Sequence, residues 1–271
     1  MHRRCVPAFP LTVVVVVVAA AAPVLLVTSL VRAQATQTTQ TTQTTQPQLP
    51  PQPADVAAIK YDAKTGKPNT AFMQKHEKYV EQAKTGGVDL LFLGDSITEQ
   101  WHKQEELFNE RFGKYKPANF GIGGDRTQHV LWRIENGELE PPMKPKLIVL
   151  LIGTNNSKDD PADKIASGVE KIVSTARDKT GAKVLLLAIF PRGETPEKAA
   201  KQRATIKAVN ERIRKLDDGK NVRYLDFGDK LMNPDGTISK EIMPDYLHLT
   251  KEGYQRWADA IDGPVKEMMG Q

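Results

Sequence analysis

Short apolar runs recur along the chain from about residue 88, and between them apolar residues return at three- and four-residue spacing. Several runs are apolar at consecutive positions, which is typical of strands covered on both faces, as in a parallel sheet between helices. We therefore predict strands at residues 88–93, 119–120 with their lead-in, 147–152, 184–190 and 222–227.

The stretches beside these runs carry the periodicity of amphipathic helices. They predict helices at residues 70–84, 96–108, 127–135, 162–179, 196–216 and 251–268. Asp160 and Thr195 fit N-cap positions, and Pro161 and Pro196 fit the first helical turns after them. The alternation predicts an α/β fold: a doubly wound, three-layer α/β/α sandwich with a flavodoxin-like parallel sheet of about five strands. In such folds function gathers beyond the carboxyl ends of the strands.

The first 35 residues have the pattern of an export segment. Two arginines near the start are followed by a stretch without charge from residue 5 to residue 31, and Ala33-Gln34-Ala35 fits signal-peptidase cleavage. A signal peptide is the favoured interpretation, and an uncleaved membrane anchor is the alternative. Residues 36–53, rich in Thr, Gln and Pro, predict a disordered linker before a folded domain at 54–271. We expect a secreted or periplasmic protein, in contact with a membrane only through an uncleaved N-terminal segment.

Composition argues against several classes of partner. The chain has 38 Lys and Arg against 33 Asp and Glu, and without the three arginines of residues 1–35 the balance falls to 35 − 33, or +2. This near-neutral charge does not predict a nucleic-acid-binding face. The five histidines lack paired ligand spacing, and the Gly121–Gly124 stretch does not fit the dinucleotide motif. We therefore expect no metal and no cofactor, and the sequence makes no prediction of the oligomeric state.

A serine follows the first predicted strand, in the segment Gly94-Asp95-Ser96. Between a strand and a helix its hydroxyl would lie outside the sheet edge, where the helix N-terminus favours developing negative charge. Ser96 is therefore a candidate nucleophile. The alternative is that Ser96 only caps the helix, which is a common role for serine.

Two further strand ends carry groups that can donate hydrogen bonds to an oxyanion. Three glycines in Gly121-Ile122-Gly123-Gly124 let the backbone approach a ligand and expose its amides. Asn155, after the third strand, can donate from its carboxamide. Both segments also fit ordinary turns.

The segment before the last predicted helix holds an acid and an imidazole three residues apart, Asp245 and His248. At this spacing the carboxylate can contact one ring nitrogen and leave the other free to act as a base. A lone histidine is more often structural, but this one has an acidic partner at the same predicted edge of the sheet.

Together these segments resemble the SGNH (GDSL-type) hydrolase superfamily, whose blocks are matched by Gly94-Asp95-Ser96, Gly124, the Gly153–Asn155 turn and Asp245-x-x-His248. Within it, the segments around Asn119–Asp125 and Gly153–Asn156 look like the catalytic subunits of platelet-activating factor acetylhydrolase type Ib. The resemblance covers about residues 89–263. It implies Ser96 as nucleophile, His248 as base and Asp245 as orienting acid. It also implies an oxyanion hole formed by the Ser96 amide, the Gly124 amide and the Asn155 side chain.

The resemblance implies a serine esterase for short, acetyl-type esters. The export segment and linker are absent from the family's intracellular acetylhydrolases, so both an O-acetylated carbohydrate and a short-acyl lipid stay open as substrate. An α/β-hydrolase is disfavoured because Gly94-x-Ser96 lacks the second glycine of its motif and because that fold does not place acid and base three residues apart. A metal-dependent hydrolase is disfavoured by the histidine spacing. A tethered carbohydrate-binding module without turnover is the non-enzymatic alternative.

Overall fold

The computed structural model describes residues 49–271, together with residue 10 and residues 12–17. Most of the predicted signal peptide and most of the predicted linker lie outside the described residues. The helices are α1 (Thr70–Thr85), α2 (Ser96–Glu99), α3 (Glu105–Phe112), α4 (Thr127–Arg133), α5 (Ala162–Thr180), α6 (Ala200–Ile213) and α7 (Lys251–Met268). The strands are β1 (Leu90–Gly94), β2 (Pro117–Gly121), β3 (Leu147–Leu151), β4 (Lys183–Leu187) and β5 (Val222–Leu225). Within this described part, none of the helices has the length and apolar character that crossing a membrane requires.

The five strands form one parallel sheet in the order β2-β1-β3-β4-β5, which confirms the predicted doubly wound fold. β1 lies between β2 and β3, so the direction of winding reverses beside it. Gly94 at the end of β1 pairs with Gly121 on one side and with Leu151 on the other. The segments after these three strands therefore start side by side at the sheet edge where such folds bind ligands.

Helices cover both faces of the sheet, and alternate strand residues enter two separate cores. Leu91 and Leu93 face a core formed with α1, α4, α5 and α6. Leu90 and Phe92 face a second core formed with α3 and α7. All five residues of β1 are buried, as the consecutive apolar pattern predicted.

The predicted helix at 96–108 is wrong as a continuous element. The chain forms α2, then a 3₁₀ helix at Gln100–Gln104, and then α3 after a non-helical backbone conformation at Gln104. The tighter turn places Trp101 inside the second core, where it packs against Phe108 and Tyr254. Apolar spacing does not distinguish a straight helix from one whose path is shifted to bury a large aromatic ring. Phe108 and Met243 are buried in the same cluster.

Two other helix starts also differ from the prediction. Helix α6 begins at Ala200 rather than at residue 196, and Thr195 accepts a hydrogen bond from Lys198 in a turn before the helix. Arg203 donates to the carbonyls of Arg192 and Gly193, so contacts with the preceding loop shape this start. In α5, Pro161 is itself the N-cap residue rather than the first helical residue. Helix α7 has the predicted bounds.

Candidate active site

The nucleophile candidate lies at the junction between β1 and α2. Asp95 is the N-cap of α2, and its Oδ1 accepts a hydrogen bond from the Ile97 amide at 2.9 Å. Ser96 is the first helical residue, so the alternative that Ser96 serves as the cap is wrong. Its side chain is free to point away from the helix, and it is half-buried at the sheet edge.

The structure brings together the three predicted triad residues. Ser96 Oγ lies 2.9 Å from His248 Nε2, although the two residues are 152 positions apart in the chain. His248 Nδ1 lies 2.6 Å from Asp245 Oδ2. The imidazole thus contacts a carboxylate through one nitrogen and a serine hydroxyl through the other, as a serine–histidine–acid triad requires.

Backbone hydrogen bonds hold the carboxylate of Asp245 in place. Its Oδ1 accepts from the amides of Leu247 at 3.1 Å and His248 at 2.8 Å, and Oδ2 is left for the imidazole. Partial burial opposes ionisation, but the hydrogen bonds from the His248 side chain and backbone hold the pKa of Asp245 below its ordinary value. Asp245 is therefore a carboxylate at neutral pH.

The predicted oxyanion donors lie in the segments that follow β1, β2 and β3 at one edge of the sheet. Within residues 49–271, neither the Ser96 amide nor the Gly124 amide is hydrogen bonded to another protein group. The Asn155 Nδ2 atom donates to the Asp125 carbonyl at 2.8 Å and lies 3.5 Å from Asp95 Oδ2. Asn155 is therefore fixed against the loop that carries Gly124, and Gly124 itself has φ of +72°, a conformation that favours glycine.

Asp95 is completely buried beneath this site. Burial raises the pKa of Asp95 to about 7, and the nearby charge of Asp125 acts in the same direction. The carboxyl contacts the α2 N-terminus through one oxygen and approaches Asn155 with the other. Asp95 therefore supports the site from within and does not reach the surface where a substrate would lie.

A buried cluster of charges lies behind the glycine loop, and the sequence pattern did not predict it. Arg133 is fully buried, with Nε 2.9 Å from Asp125 Oδ2 and Nη1 paired with Glu138. Glu138 also contacts His76 Nδ1 at 2.9 Å, so His76 is a buried packing residue. Burial raises the pKa of Asp125 to about 6, although the positive charges of Arg133 and Lys60 oppose this.

Arg192, in the loop after β4, is a second neighbour that the sequence analysis missed. Its Nη1 donates to the Thr154 carbonyl at 3.0 Å and lies 3.3 Å from the Thr154 hydroxyl. Burial lowers the pKa of Arg192, while the charges of Asp95 and Asp245 raise it. This guanidinium thus holds the turn that carries Asn155. Arg192 follows the predicted fourth strand, at the same edge of the sheet as Ser96, and this position in the sequence could have identified it as a site residue.

The described residues contain no group of three or more His, Cys, Asp or Glu side chains arranged to hold a metal ion. The groups gathered around Ser96 are instead a base, an acid and hydrogen-bond donors. That set of groups can carry out acyl transfer.

Comparison with known proteins identifies the family. The model of the GDSL-like lipase/acylhydrolase family matches residues 92–256. Platelet-activating factor acetylhydrolase IB subunit alpha2 of Homo sapiens is 39% identical over 217 residues, covering 79% of this chain and 90% of that protein. A GDSL-like lipase from Bacteroides thetaiotaomicron superposes with a TM-score of 0.60 at 19% identity, over 72% of this chain and 97% of that one.

A third relative is Axe2, an acetylxylan esterase from Geobacillus stearothermophilus, with a TM-score of 0.53 at 17% identity over 69% of this chain and 95% of that one. At such identities the two structural likenesses support the fold alone. The family match and the 39% identity reach further, because they cover most of the chain. The chain belongs to the GDSL-like lipase/acylhydrolase family and is a carboxylic ester hydrolase.

Proposed function

We propose that this protein is a serine esterase that hydrolyses short acyl esters, acetyl esters above all, with Ser96 as its nucleophile. The observation that carries the proposal is the 2.9 Å contact between Ser96 Oγ and His248 Nε2, backed by the 2.6 Å contact between His248 Nδ1 and Asp245. A base in hydrogen-bond reach of a hydroxyl, itself oriented by an acid, is the geometry that activates a serine.

In the acylation step the Ser96 hydroxyl attacks the ester carbonyl while His248 Nε2 takes its proton. The Asp245 carboxylate accepts a hydrogen bond from the Nδ1–H of His248, which keeps Nε2 unprotonated before attack and stabilises the imidazolium afterwards. His248 then protonates the leaving alkoxide, and the acyl group stays bound to Ser96. In the second half His248 takes a proton from a water that attacks the acyl carbon. The bond from that carbon to Ser96 Oγ then breaks, His248 returns the proton to Ser96, and the carboxylic acid leaves.

The negative charge that forms on the carbonyl oxygen needs donors aimed at it. The Ser96 and Gly124 amides and the Asn155 carboxamide are the groups we assign to this role. The two amides have no protein acceptor within residues 49–271, so they are free to bind an oxyanion without breaking an existing bond. Donors that are already in place avoid reorganisation during the reaction, which is the main source of their effect.

The preference for acetyl esters rests on the relatives. A protein named platelet-activating factor acetylhydrolase subunit is 39% identical over 79% of this chain. This name favours a lipid with a short acyl chain. An O-acetylated carbohydrate stays as the second candidate substrate because the export pattern of residues 1–35 favours a secreted or periplasmic enzyme, where acetylated polysaccharides are found.

Hydrolysis of p-nitrophenyl esters tests the proposal. We expect the wild-type protein to cleave the acetate fastest and the butyrate and octanoate progressively more slowly, and S96A to lose activity for all three. Ser174, an exposed serine on α5, gives the matched control: S174A keeps wild-type rates. Full activity in S96A would overturn the assignment of the nucleophile, and preference for octanoate would overturn the short-chain specificity.

A second experiment separates the two classes of substrate. Acetate release is measured from a phospholipid with an acetyl group at one position and from acetylated xylan oligosaccharides, with S96A as the blank for both. We expect faster release from the acetylated phospholipid. Faster release from the oligosaccharides would instead assign the enzyme to carbohydrate de-acetylation.

A further inference from the structure

The peptide group between Gly123 and Gly124 is held by a charged side chain from a distant part of the chain. Lys60 Nζ donates to the Gly123 carbonyl oxygen at 2.6 Å. That carbonyl and the Gly124 amide N–H belong to one planar trans peptide group, so they point in opposite directions. A contact that fixes the carbonyl therefore also fixes the direction of the N–H that we assign to the oxyanion hole.

The other side of Gly123 is also held by a side chain. Its amide donates to Glu99 Oε2 at 2.7 Å, and Glu99 in turn forms an ion pair with Lys75 on α1. A Cβ atom added to Gly123 would lie 2.9 Å from Glu99 Oε2 and 3.8 Å from the Ser96 Cβ atom. Gly123, which is held on both sides, thus lies directly beside Ser96.

Lys60 is itself fixed. Its Nζ lies 3.5 Å from Asp125 Oδ1, and the side chain is only 20% exposed. Asp125 is held from its other oxygen by Arg133, so the ammonium contacts an anchored carboxylate. The Lys60 carbonyl accepts from the Asn69 amide at 2.8 Å, and Ala58 donates to the Gln128 carbonyl at 3.1 Å. These backbone contacts hold the segment of residues 58–69, which carries Lys60, against the rest of the domain.

A charged donor does more than orient a peptide. Hydrogen bonds to an ionised donor are roughly twice as strong as neutral ones, and bonds in series polarise one another. An ammonium on the Gly123 oxygen draws electron density toward that end of the peptide group and makes the Gly124 N–H a stronger donor. The ammonium also lies close to Gly124 itself, because a Cβ added there would be 3.0 Å from Lys60 Nζ.

From these contacts we propose that Lys60 is a positioning residue of the oxyanion hole, which orients and polarises the Gly123–Gly124 peptide while Glu99 holds the opposite side of Gly123. The inference rests on the proposed esterase function. Lys60 and Lys75 lie before residue 92, where the match to the family model begins, so the segment preceding that match contributes to the site.

Steady-state hydrolysis of p-nitrophenyl acetate by K60M, K60R and K64M tests the proposal. Lys64 is an exposed lysine in the same segment, residues 58–69, and K64M is the matched control for loss of one positive charge. We expect K60M to lower kcat by about 10-fold with KM within about 2-fold, since misdirecting a donor acts on the transition state more than on substrate binding. K60R, which keeps a charged donor, should recover most of kcat, and K64M should match the wild type.

Inactivation by diethyl p-nitrophenyl phosphate gives a second readout, because its phosphoryl oxygen must occupy the same hole while Ser96 attacks phosphorus. The rate of inactivation should fall in K60M in parallel with kcat. Thermal unfolding of each variant checks folding, and K60Q, which keeps an N–H donor without charge, replaces K60M if that variant does not fold.

An unchanged kcat in K60M overturns the inference, as does an equal loss in K60M and K60R. Either result leaves the proposed function standing, because the wild type is then still active. Absence of hydrolysis in the wild-type protein overturns the proposed function and this inference together.

Discussion

The backbone N–H of Gly193 donates to the carbonyl oxygen of Tyr246 at 2.8 Å, and this bond ties the loop after β4 to the loop that carries Asp245 and His248. Tyr246 has φ of 60°, in the left-handed region that residues other than glycine, asparagine and aspartate seldom adopt. Its hydroxyl lies 3.1 Å from Glu194 Oε1. The loop therefore keeps an unfavourable backbone conformation between the two triad residues because the neighbouring loop holds it there.

Replacing Tyr246 by valine should weaken both the fold and the activity. A β-branched residue is among the least tolerant of the left-handed region, so we expect Y246V to lower the free energy of unfolding by ~1–3 kcal/mol. Movement of the loop should also lower kcat, because Asp245 and His248 lie on either side of the strained residue. Urea unfolding and hydrolysis of p-nitrophenyl acetate measure the two effects.

The matched control for this loop is Y246N, because asparagine tolerates the left-handed conformation. It loses the aromatic ring and the contact with Glu194 but keeps the backbone path. Activity close to wild type in Y246N and low activity in Y246V would assign the effect to the backbone. Equal activity in the two variants would show that the conformation of residue 246 does not matter for catalysis.

Asn155 offers a direct test of the oxyanion assignment. N155A removes the carboxamide that lies against the Asp125 carbonyl. Loss of one oxyanion donor typically lowers turnover by ~10²–10³-fold, and we expect kcat to fall in this range while KM changes little. Initial rates of p-nitrophenyl acetate hydrolysis over a range of substrate concentrations give kcat and KM separately. A wild-type kcat in N155A would remove Asn155 from the hole, and N109A, at an exposed position on α3, controls for loss of a carboxamide elsewhere.

Much of this site could be predicted because its parts stand at positions that parallel-sheet topology brings together. Ser96 and Asn155 each follow a buried apolar run, and the carboxyl ends of neighbouring parallel strands meet at one edge. Asp245 and His248 precede the last helix and reach the same edge. The i, i+3 spacing alone was enough to predict the contact between the acid and the imidazole.

The supporting charges could not be predicted in the same way. A pattern analysis assigns Lys60, Arg133 and Glu138 to exposed surface, since charged side chains are rarely buried without a partner. Their partners come from elements far apart in the chain, as when Lys60 contacts Gly123 across 63 positions. Only the packed structure shows that Arg133 and Glu138 are fully buried.

Gly94, at the end of β1, should not tolerate a side chain. A Cβ atom there would lie 2.3 Å from both the Leu151 carbonyl oxygen and the Thr98 hydroxyl. Neither group can move without disturbing β3 or α2, so we expect G94A to lower the free energy of unfolding by ~1–3 kcal/mol.

The matched variant is G113A, whose added methyl meets no atom within 4 Å and whose φ is −50°. G113A should leave the free energy of unfolding unchanged or raise it by up to ~1 kcal/mol, as measured by thermal or urea unfolding. An equal change in the free energy of unfolding of G94A and G113A would contradict the packing argument.

The buried carboxyl of Asp95 should make stability depend on pH in a predictable direction. Burial raises the pKa of Asp95 from 3.8 to about 7 in the folded state. Between these values the folded protein keeps a proton that the unfolded chain has released. The unfolded state then binds fewer protons, so stability falls as pH rises across this interval and levels off above the folded pKa.

The variant D95N removes this titration and keeps the cap, because asparagine is as good an N-cap as aspartate. We therefore expect the difference in free energy of unfolding, D95N minus wild type, to increase by on the order of 2 kcal/mol between about pH 5 and about pH 8. Urea unfolding of both proteins at several pH values measures it, and groups common to both cancel in the difference. A difference that stays constant between these pH values would mean that Asp95 is already ionised in the folded protein at pH 5, held by the positive charges of Lys60 and Arg192 that oppose the effect of burial.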